Sequence, residues 1–398
     1  MLQVIPALDT GGAERTTLDI AAGLVRRGDR ALVASAGGRL EGELARLGGE
    51  LIRMPLGAKN PLDIVLNAVR LRRAIEAHGV DIVHARSRAP AWSAHFACRA
   101  TSTPFVTTYH GIYAEKGRAK RFYNSVMARG DRVIANSAYT ADLIAERYGI
   151  PRQDIAVIHR GTDLAYFDPD AVTSERRNAL RKAWGLSGSE TVVLNVARLT
   201  AWKGQYVLID AAALPPLADI PDLVVVLAGD DQGRSGYRRQ LEQTVAEKGL
   251  AGRVVLVGHI DDVPAALSIA DVAVVASVAP EAFGRAAVEA EAIGVPVVVT
   301  ALGAVTETVL VPPDVPESER TGWHVAPGDP VALSSAIAAA LTLTPGERVA
   351  LSRRSRRHAG AFSVGAMVDA TLALYDDVLS SRAGHNRSDS AGPRSGAG

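Results

Sequence analysis

Two glutamates stand eight positions apart in the segment Pro280–Glu289. This segment follows an apolar run, Val272–Ala276, that is typical of a buried parallel strand, and it leads into a helical pattern that closes at Gly294. Glu281 is therefore expected in a strand-to-helix loop and Glu289 on the helix. If all the residues between them were helical, the two carboxylates would lie about 12 Å apart, too far to share one proton. They are better suited to contact different ends of one extended ligand.

Two cations occur in a similar setting about eighty residues upstream. Arg198 and Lys203 follow the strand Val192–Leu194 and open a helix, the place where a doubly wound sheet binds ligands. A guanidinium and an ammonium beside helix amides suit a diphosphate. Near the N-terminus, Gly11 and Gly12 form a glycine-rich turn between a strand and a helix, and such a turn lets backbone amides approach phosphate.

Taken in order, these segments resemble the family-4 retaining glycosyltransferases, and the similarity covers nearly the whole chain. The segments that carry the resemblance are Gly11–Arg15, Thr108–Gly111, Ala135–Ser137, Arg198 with Lys203, Glu281 with Glu289, Gly303–Glu307 and Gly322-Trp323. Two stretches, Asp9–Thr17 and His84–Pro90, further resemble alphaproteobacterial lipopolysaccharide-core transferases.

The resemblance implies an α/β protein with the GT-B fold, in which two Rossmann-like doubly wound parallel-sheet domains face each other across a cleft. It also implies a retaining hexosyltransferase that moves a hexose from GDP-mannose or a UDP-hexose to a saccharide or glycolipid acceptor. The process implied is lipopolysaccharide-core or envelope polysaccharide biosynthesis. The donor would lie mainly against the C-terminal domain and the acceptor against the N-terminal one.

Residue roles follow from the same resemblance. Glu281 would orient the transferred hexose, Glu289 would accept hydrogen bonds from the ribose, and Arg198 and Lys203 would clamp the diphosphate. His110, at a strand end, would lie near the reacting sugar. The expected catalytic residues are thus Glu281, His110, Arg198 and Lys203. The expected donor contacts are Gly11, Gly12, Arg198, Lys203, Phe283, Gly284, Arg285 and Glu289.

The sequence gives no reason to expect a metal or a cofactor other than the donor substrate. The nine histidines are scattered, and no His, Asp, Glu or Cys cluster has ligand spacing. The Asp168-Pro169-Asp170 segment falls in the presumed linker and is interpreted as a turn. Metal-independent transfer is therefore expected, with Arg198, Lys203 and backbone amides stabilising the leaving diphosphate.

Three other functions remain to be weighed. A dinucleotide oxidoreductase would require Gly-x-Gly-x-x-Gly after the first strand, and Gly11-Gly12 lacks that spacing. A GT-B phosphorylase or sugar-phosphate synthase would instead prefer phosphate or a sugar phosphate as acceptor. A non-catalytic partner that binds sugar nucleotide is the third, and the presence of Glu281, Arg198 and Lys203 argues against it.

Strand and helix patterns alternate in two rounds along the chain, which favours parallel sheets covered on both faces. The predicted strands are Leu2–Leu8, Ala31–Ser35, Leu51–Met54, Asp81–His84, Pro104–Thr108, Arg132–Ala135, Ile155–Ile158, Thr191–Val196, Leu223–Ala228, Val254–Val257, Val272–Ala276, Val295–Val299 and Gly322–Val325. The expected domains are an N-terminal acceptor-side domain over 1–170 and a C-terminal nucleotide-sugar-binding domain over 171–360. A helix over 361–380 would cross back to the first domain, and 381–398 would form a disordered tail.

Composition and charge fit a cytoplasmic enzyme. The chain has 398 residues, 47% hydrophobic content and one cysteine, Cys98, and no apolar stretch reaches the roughly 20 residues of a membrane span.

Charge is unevenly distributed along the chain. Residues 1–170 hold 23 Lys and Arg against 18 Asp and Glu, a net charge of +5. Because the whole chain has a net charge of +1, the remaining residues carry −4. Arg86, Arg88 and the stretch from Lys116 to Arg121 concentrate this positive charge. It would suit an anionic acceptor, or peripheral contact with the anionic inner-membrane surface. Nucleic-acid binding is not expected, because the excess is small and no recognisable module occurs.

Overall fold

The chain forms two compact units in a computed structural model that describes residues 1–9, 11–113, 115, 117–233 and 235–389, with side chains up to Arg382. The first unit comprises residues 1–161 together with the chain from Gly365 onward, and the second unit is the continuous segment Thr162–Val364. The expected boundary after residue 170 thus differs from the observed one after Gly161. Residues 162–170 belong with the second unit because Phe167 is buried in its core.

The sheet of the first unit is wholly parallel. Among the described residues its strands are β1 (Leu2–Val4), β2 (Leu32–Ser35), β3 (Glu50–Arg53), β4 (Val83–Ala85), β5 (Phe105–Tyr109), β6 (Arg132–Ala135) and β7 (Ile155–Val157). Their spatial order is β3-β2-β1-β4-β5-β6-β7, and Leu2 of β1 pairs with Leu32 on one side and Val83 on the other. Helices cover both faces, so strands β1, β2, β4 and β5 are buried along their whole length rather than at alternate residues.

Helices cover this sheet: α1 (Gly12–Arg26), α2 (Glu41–Arg46), α3 (Pro61–His78), α4 (Arg88–Thr101), α5 (Arg118–Asn124) and α6 (Ala138–Tyr148). The sequence determines several of their ends. Asn60 caps α3 by accepting from the backbone N–H of Asp63, and Ser137 caps α6 by accepting from that of Thr140. Gly79 and Gly149 end the same two helices in the left-handed conformation.

The second unit repeats the pattern with a sheet in the order β10-β9-β8-β11-β12-β13. Its strands are β8 (Thr191–Val196), β9 (Leu223–Ala228), β10 (Val254–Gly258), β11 (Val272–Val275), β12 (Val297–Thr300) and β13 (Gly322–Val325). Its helices are α7 (Ser174–Trp184), α8 (Gln205–Ala212), α9 (Ser235–Glu247), α10 (Val263–Ser268), α11 (Arg285–Ile293), α12 (Val305–Thr308), α13 (Pro330–Leu341) and α14 (Pro345–Ala359). Two apolar clusters, one on each face of this sheet, form the core.

The last helix, α15 (Val364–Asp389), returns the chain to the first unit. Val368 lies against Gly23 of α1, and Asp376 forms an ion pair with Arg27 at 2.9 Å. The helix is longer than the expected one, which ended at residue 380. No proline interrupts it before Pro393, and Ser381 Oγ donates to the Asp377 carbonyl within the helix. Residues 390–398 of the expected tail lie outside the described residues.

The prediction of an α/β protein with two doubly wound parallel sheets is confirmed, and each predicted strand position carries a strand in the described chain. The first strand is shorter than predicted. Pro6 lacks the N–H that would continue the ladder, so regular pairing ends at Val4. No helix among the described residues is both long enough and apolar enough to cross a bilayer.

Candidate functional site

Each sheet has a topological switch point, where successive connections leave in opposite directions and ligands bind at the carboxyl ends of the strands. In the second unit the switch lies between β8 and β11, and in the first unit it lies between β1 and β4. The loops that follow these strands carry most of the residues that the sequence predicts as functional.

In the second unit, the switch point brings Lys203 and Glu281 into direct contact. The Lys203 ammonium forms an ion pair with Glu281 Oε1, and the two side chains are only 17% and 11% exposed. Ser277 Oγ donates to the same carboxylate oxygen at 2.6 Å. The ammonium also lies 4.3 Å from the ring centroid of Trp202, a cation–π geometry. A cation and an anion that the sequence places 78 residues apart therefore form one partly buried unit.

Glycines fix the two loops that hold this pair. Gly204 caps α8 with φ of 68°, and a Cβ there would overlap the carbonyl oxygen of Ala276. The loop after β11 is in turn fixed at Gly303 (φ 79°), where Glu281 forms a parallel bridge and accepts from Ala304 N at 2.9 Å. The loop positions thus depend on close backbone contacts that only glycine permits.

The other predicted residues of this unit do not all join the pair. Arg198 is exposed, and its Nη1 donates to Gln232 at 3.4 Å. Glu289, only 7% exposed, accepts from Arg285 Nη2 at 2.8 Å one helical turn away on α11. The carboxylates of Glu281 and Glu289 therefore have separate cationic partners, as expected for residues that serve different parts of a ligand.

Gly284 and Phe283 precede that helix. Gly284 caps α11 with φ of 84°, so the loop-to-helix turn again requires glycine. The Phe283 side chain is buried, with its ring 5.6 Å from that of Phe362. The Phe283 ring thus packs in the core of the second unit, and its expected contact with the donor stays a prediction.

In the first unit, protein side chains lie against the glycine-rich turn. Helix α1 begins at Gly12, and a Cβ on Gly12 would overlap the guanidinium of Arg160, which follows β7. A Cβ on Gly11 would overlap the Glu14 carboxylate. The absence of a Cβ at these two glycines leaves room for the side chains of Glu14 and Arg160. The sequence pattern alone does not distinguish this role from the close approach of a ligand.

Next to this turn, a cavity of about 20 Å³ is bordered by the residues that follow four parallel strands: Arg86, His110, Asn136 and Arg160. His110 Nε2 and both polar atoms of the Asn136 side chain are buried without a hydrogen-bond partner among the described residues. Burial, with Arg86 and Arg160 as further causes, holds the pKa of His110 well below its usual range. His110 is therefore a neutral imidazole at pH 7.

Arg86 belongs to a buried network that reaches the last helix. Its Nε donates to Gln3 Oε1 at 2.9 Å, and its Nη2 lies 3.5 Å from His84 Nδ1. The Tyr375 hydroxyl of α15 lies 2.6 Å from the same His84 nitrogen. Burial lowers the pKa of the Arg86 guanidinium, against smaller raising effects of Tyr375 and Asp19.

The sequence reading missed Arg160 and Ser277. Both follow a predicted strand at its carboxyl end, and that position is the signal that could have identified them. Thr10, in the expected glycine-rich segment, and Lys116, in the basic segment, lie outside the described residues. Among the residues that the structure describes, no group of three or more His, Cys, Asp and Glu could hold a metal ion.

Two family profiles match the chain. "Glycosyltransferase Family 4" matches residues 10–166, and "Glycosyl transferases group 1" matches residues 176–358. Among solved structures, the chain is similar to a glycosyltransferase from Rickettsia africae, with 32% identity and a TM-score of 0.85 over 95% of this chain and 98% of that one. It is also similar to Anabaena HepE in complex with UDP-glucose, with 26% identity and a TM-score of 0.75 over 96% and 99% of the two chains.

Among curated proteins, the chain is 35% identical to the D-inositol 3-phosphate glycosyltransferase of Geodermatophilus obscurus. The match spans 257 residues, 63% of this chain and 53% of that protein. The chain thus spans about half the length of this protein and of two further D-inositol 3-phosphate glycosyltransferases that it matches.

Proposed function

The chain belongs to the GT-B glycosyltransferases of family 4, and on that premise we propose that it is a retaining hexosyltransferase. The donor is a nucleotide-diphosphate sugar, either GDP-mannose or a UDP-hexose, and the acceptor is a saccharide or glycolipid. The observation that carries the proposal is the contact of Lys203 with Glu281 at the switch point of the second sheet.

This contact places a cation where the diphosphate of the donor would lie and an anion where its hexose would lie. The diphosphate would compete with Glu281 for the Lys203 ammonium, and exposed Arg198 would add a second cation. As the glycosidic bond breaks, the diphosphate gains negative charge, which preorganised cations and helix-terminal amides stabilise. We propose that this electrostatic stabilisation replaces a metal ion in the reaction.

The two carboxylates, Glu281 and Glu289, would bind the hexose and the ribose of the donor. Glu281, once its ammonium partner turns to the diphosphate, would accept a hydrogen bond from a hexose hydroxyl and favour the positive charge that develops on the hexose. Glu289, held by Arg285 on α11, has the two acceptor oxygens that a pair of ribose hydroxyls requires. Gly284 and Arg285, at the start of α11, add the helix-terminal amides that favour phosphate.

His110 supplies a neutral imidazole from the first unit. Because its pKa is depressed, it would contribute a hydrogen bond to the reacting sugar rather than a proton at neutral pH.

The acceptor-side process we propose is assembly of lipopolysaccharide core or another envelope polysaccharide, in the cytoplasm or at the inner face of the membrane. The resemblance of Asp9–Thr17 and His84–Pro90 to core transferases supports it. The curated relatives named for D-inositol 3-phosphate favour a second candidate, transfer to a phosphorylated polyol or sugar.

The test is slow donor hydrolysis across a panel of GDP- and UDP-sugars in the presence of EDTA, with wild type and Lys203→Ala. We expect one donor to be hydrolysed without metal. The Lys203→Ala variant should lose about 10²–10³ in kcat, as removal of one preorganised donor at a developing oxyanion does elsewhere.

Lys182→Ala, an exposed lysine on α7, is the matched control and should behave as wild type. If Lys203→Ala hydrolyses the donor at the wild-type rate, the proposed role of the Lys203–Glu281 pair is wrong. If EDTA abolishes hydrolysis and added metal restores it, metal independence is wrong.

A further inference from the structure

A cavity of about 480 Å³ lies at the amino ends of β5 and β6, opposite to the strand ends that carry the predicted functional residues. Phe105, the first residue of β5, lines this cavity, whereas His110 follows the last residue of the same strand. At about 3.3 Å per residue of strand, the two positions are roughly 16 Å apart. Small-molecule sites typically have volumes of about 300–1,000 Å³. The cavity is therefore large enough for a ligand, and the proposed reaction does not use it.

Two helices of the first unit, α4 and α15, form walls of this cavity. Each helix contributes residues at positions i, i+3 and i+4, which lie on one helical face: His95, Cys98 and Arg99 from α4, and Val378, Ser381 and Arg382 from α15. Residues 102–105, Arg129 and Asp131 complete the lining. A molecule in the cavity would therefore contact α4 and α15 at once.

The lining is rich in positive charge. Its three guanidiniums, of Arg99, Arg129 and Arg382, form no ion pair with any residue that the structure describes. The partners of Arg129 are neutral, since its Nε donates to Ser125 Oγ at 3.2 Å and its guanidinium lies 5.4 Å from the centroid of the Trp92 ring. Guanidiniums bind phosphate through charge-assisted hydrogen bonds. The lining therefore favours an anionic ligand.

The charges of these guanidiniums act on two neighbouring side chains of α4. Burial lowers the pKa of His95, and Arg129 and Arg99 lower it further. Burial raises the pKa of Cys98 to about 12, and Arg382 opposes this rise. Because His95 and Cys98 are one helical turn apart, the three guanidiniums act on the same part of the cavity. His95 is neutral at pH 7 and adds no charge to it.

The other polar groups of the lining suit hydroxyls. Asp131 is the single acidic residue among the described residues that line the cavity, and its Oδ2 accepts from Phe105 N at 2.8 Å. A carboxylate has further acceptor capacity, so Asp131 can also accept from a ligand hydroxyl. Ser102 and Thr103, which carry hydroxyls, line the same cavity. A ligand with hydroxyls as well as a phosphate satisfies both kinds of group, whereas Asp131 would repel a purely anionic one.

We propose that this cavity binds a small soluble phosphorylated sugar or polyol, with its phosphate on the three guanidiniums and a hydroxyl on Asp131. The bound molecule contacts both α4 and α15, and it fastens the last helix to the unit that this helix completes. A ligand that binds only the folded state stabilises that state, so the concentration of this metabolite sets how firmly α15 is held. This site is separate from the donor and acceptor contacts of the proposed function and does not depend on them.

The test is calorimetric titration of the full chain with glucose 6-phosphate at constant ionic strength. We expect the wild type to bind one molecule, and we expect Arg99→Gln and Arg382→Gln to weaken binding at least tenfold. Arg73→Gln, an exposed arginine on α3 with the same change in charge, is the matched control and should bind as wild type. Lys203→Ala should also bind as wild type, because the probe does not occupy the proposed donor site. Circular dichroism of each variant checks that it is folded.

Two further measurements identify the chemistry and the place of binding. We expect glucose 6-phosphate to bind at least tenfold more tightly than inorganic phosphate, and we expect Asp131→Asn to reduce this preference, because the amide no longer repels phosphate. Hydrogen exchange should slow in the peptide that covers residues 378–382 when glucose 6-phosphate is added. Arg99→Gln should abolish this protection, although the substitution lies on the other helix.

Four outcomes would overturn the proposal. The wild type does not bind glucose 6-phosphate, Arg99→Gln and Arg382→Gln bind it as the wild type does, inorganic phosphate binds equally tightly, or Lys203→Ala loses binding while folded. The last result would assign the probe to the donor site. The titration involves no turnover, so a protein that hydrolyses no donor would refute the proposed function without affecting this result.

Discussion

The ion pair between Lys203 and Glu281 affects how the protein would bind both the diphosphate and the hexose of the donor. Both side chains are mostly shielded from water, and the Ser277 hydroxyl holds the carboxylate in place. Removing one partner of a buried pair leaves the other charge uncompensated. A diphosphate can compensate Lys203, and a sugar hydroxyl can satisfy Glu281, so donor binding exchanges one set of partners for another.

Replacement of Glu281 by glutamine separates these two effects. In Glu281→Gln the ammonium loses its competing carboxylate, and we expect a nucleoside diphosphate to bind about tenfold more tightly, equivalent to ~1.4 kcal/mol. Donor hydrolysis should fall, because the hexose loses the negative charge beside it. Calorimetry with UDP or GDP and the hydrolysis rate measure the two quantities separately. Weaker nucleotide binding in this variant would contradict the proposed exchange of partners.

Glu291, two residues beyond Glu289 on α11, is a carboxyl that the proposed reaction does not use. It is fully buried, neither oxygen has a hydrogen-bond partner that meets standard geometry among the described residues, and burial holds its pKa well above its usual range. The folded state therefore keeps a proton that the unfolded state releases above its ordinary pKa near 4.5.

This proton makes stability depend on pH. The free energy of unfolding should decrease as pH rises above about 4.5, by up to ~1.4 kcal/mol per pH unit, until the folded-state pKa is reached. Glu291→Gln should lack this component. Urea unfolding of both proteins between pH 5 and 9 measures the difference, and parallel pH profiles would show that Glu291 is not protonated in the folded state.

At the level of elements, the site depends on loops held against neighbouring strand ends. Gly204 makes one of the closest of these contacts, since a Cβ there would overlap the Ala276 carbonyl, and its φ is positive. The turn that ends in Gly204 also positions Lys203.

A methyl group at this position should disturb both the fold and the site. We expect Gly204→Ala to lower the free energy of unfolding by about 2 kcal/mol or more, from the left-handed conformation and the overlap with backbone. Donor hydrolysis should fall in proportion to the displacement of Lys203. Gly346→Ala in α14, where a Cβ meets nothing within 4 Å, is the control and should change stability by less than about 1 kcal/mol. Equal stability of the two variants in urea would contradict this account.

The same elements show what the sequence can predict. The thirteen strand positions were predictable because most of them carry a short buried run rich in valine, leucine and isoleucine, as expected of parallel strands covered on both faces. The placement of Lys203 and Glu281 after β8 and β11 followed from those runs. The contact of Arg160 with Gly12 was not predictable, because the two residues are 148 positions apart. A glycine at the start of a helix is equally consistent with the close approach of a ligand. Likewise, the core position of Phe283 depends on Phe362, which reaches it through tertiary packing.

At the level of the whole molecule, the first unit is made of two separate pieces of sequence. Residues 1–161 need the last helix, since Val368 packs on Gly23 and the Tyr375 hydroxyl contacts His84 on the inner strand β4. The second unit is continuous and has its own two apolar clusters.

Deletion of residues 365–398 should therefore affect the two units unequally. We expect the truncated chain to lose the cooperative unfolding of the first unit, because buried His84 loses its Tyr375 partner and an apolar surface on α1 becomes exposed. Amides of β8, β9 and β11 should remain protected. Hydrogen exchange followed by peptide mass spectrometry measures both, and full protection of β1 and β4 in the truncated chain would show that the last helix is dispensable.

The discontinuity of the first unit also sets the order of events during translation. A ribosome that adds about 5–20 residues per second has to synthesise Thr162–Val364, some 200 residues, between the two pieces of the first unit. For roughly 10–40 seconds at that rate, the nascent N-terminal segment lacks the helix that completes it, while the continuous second unit emerges whole. The unit that is synthesised first is therefore finished last, and the N-terminal segment is the part of the newborn chain most in need of a chaperone.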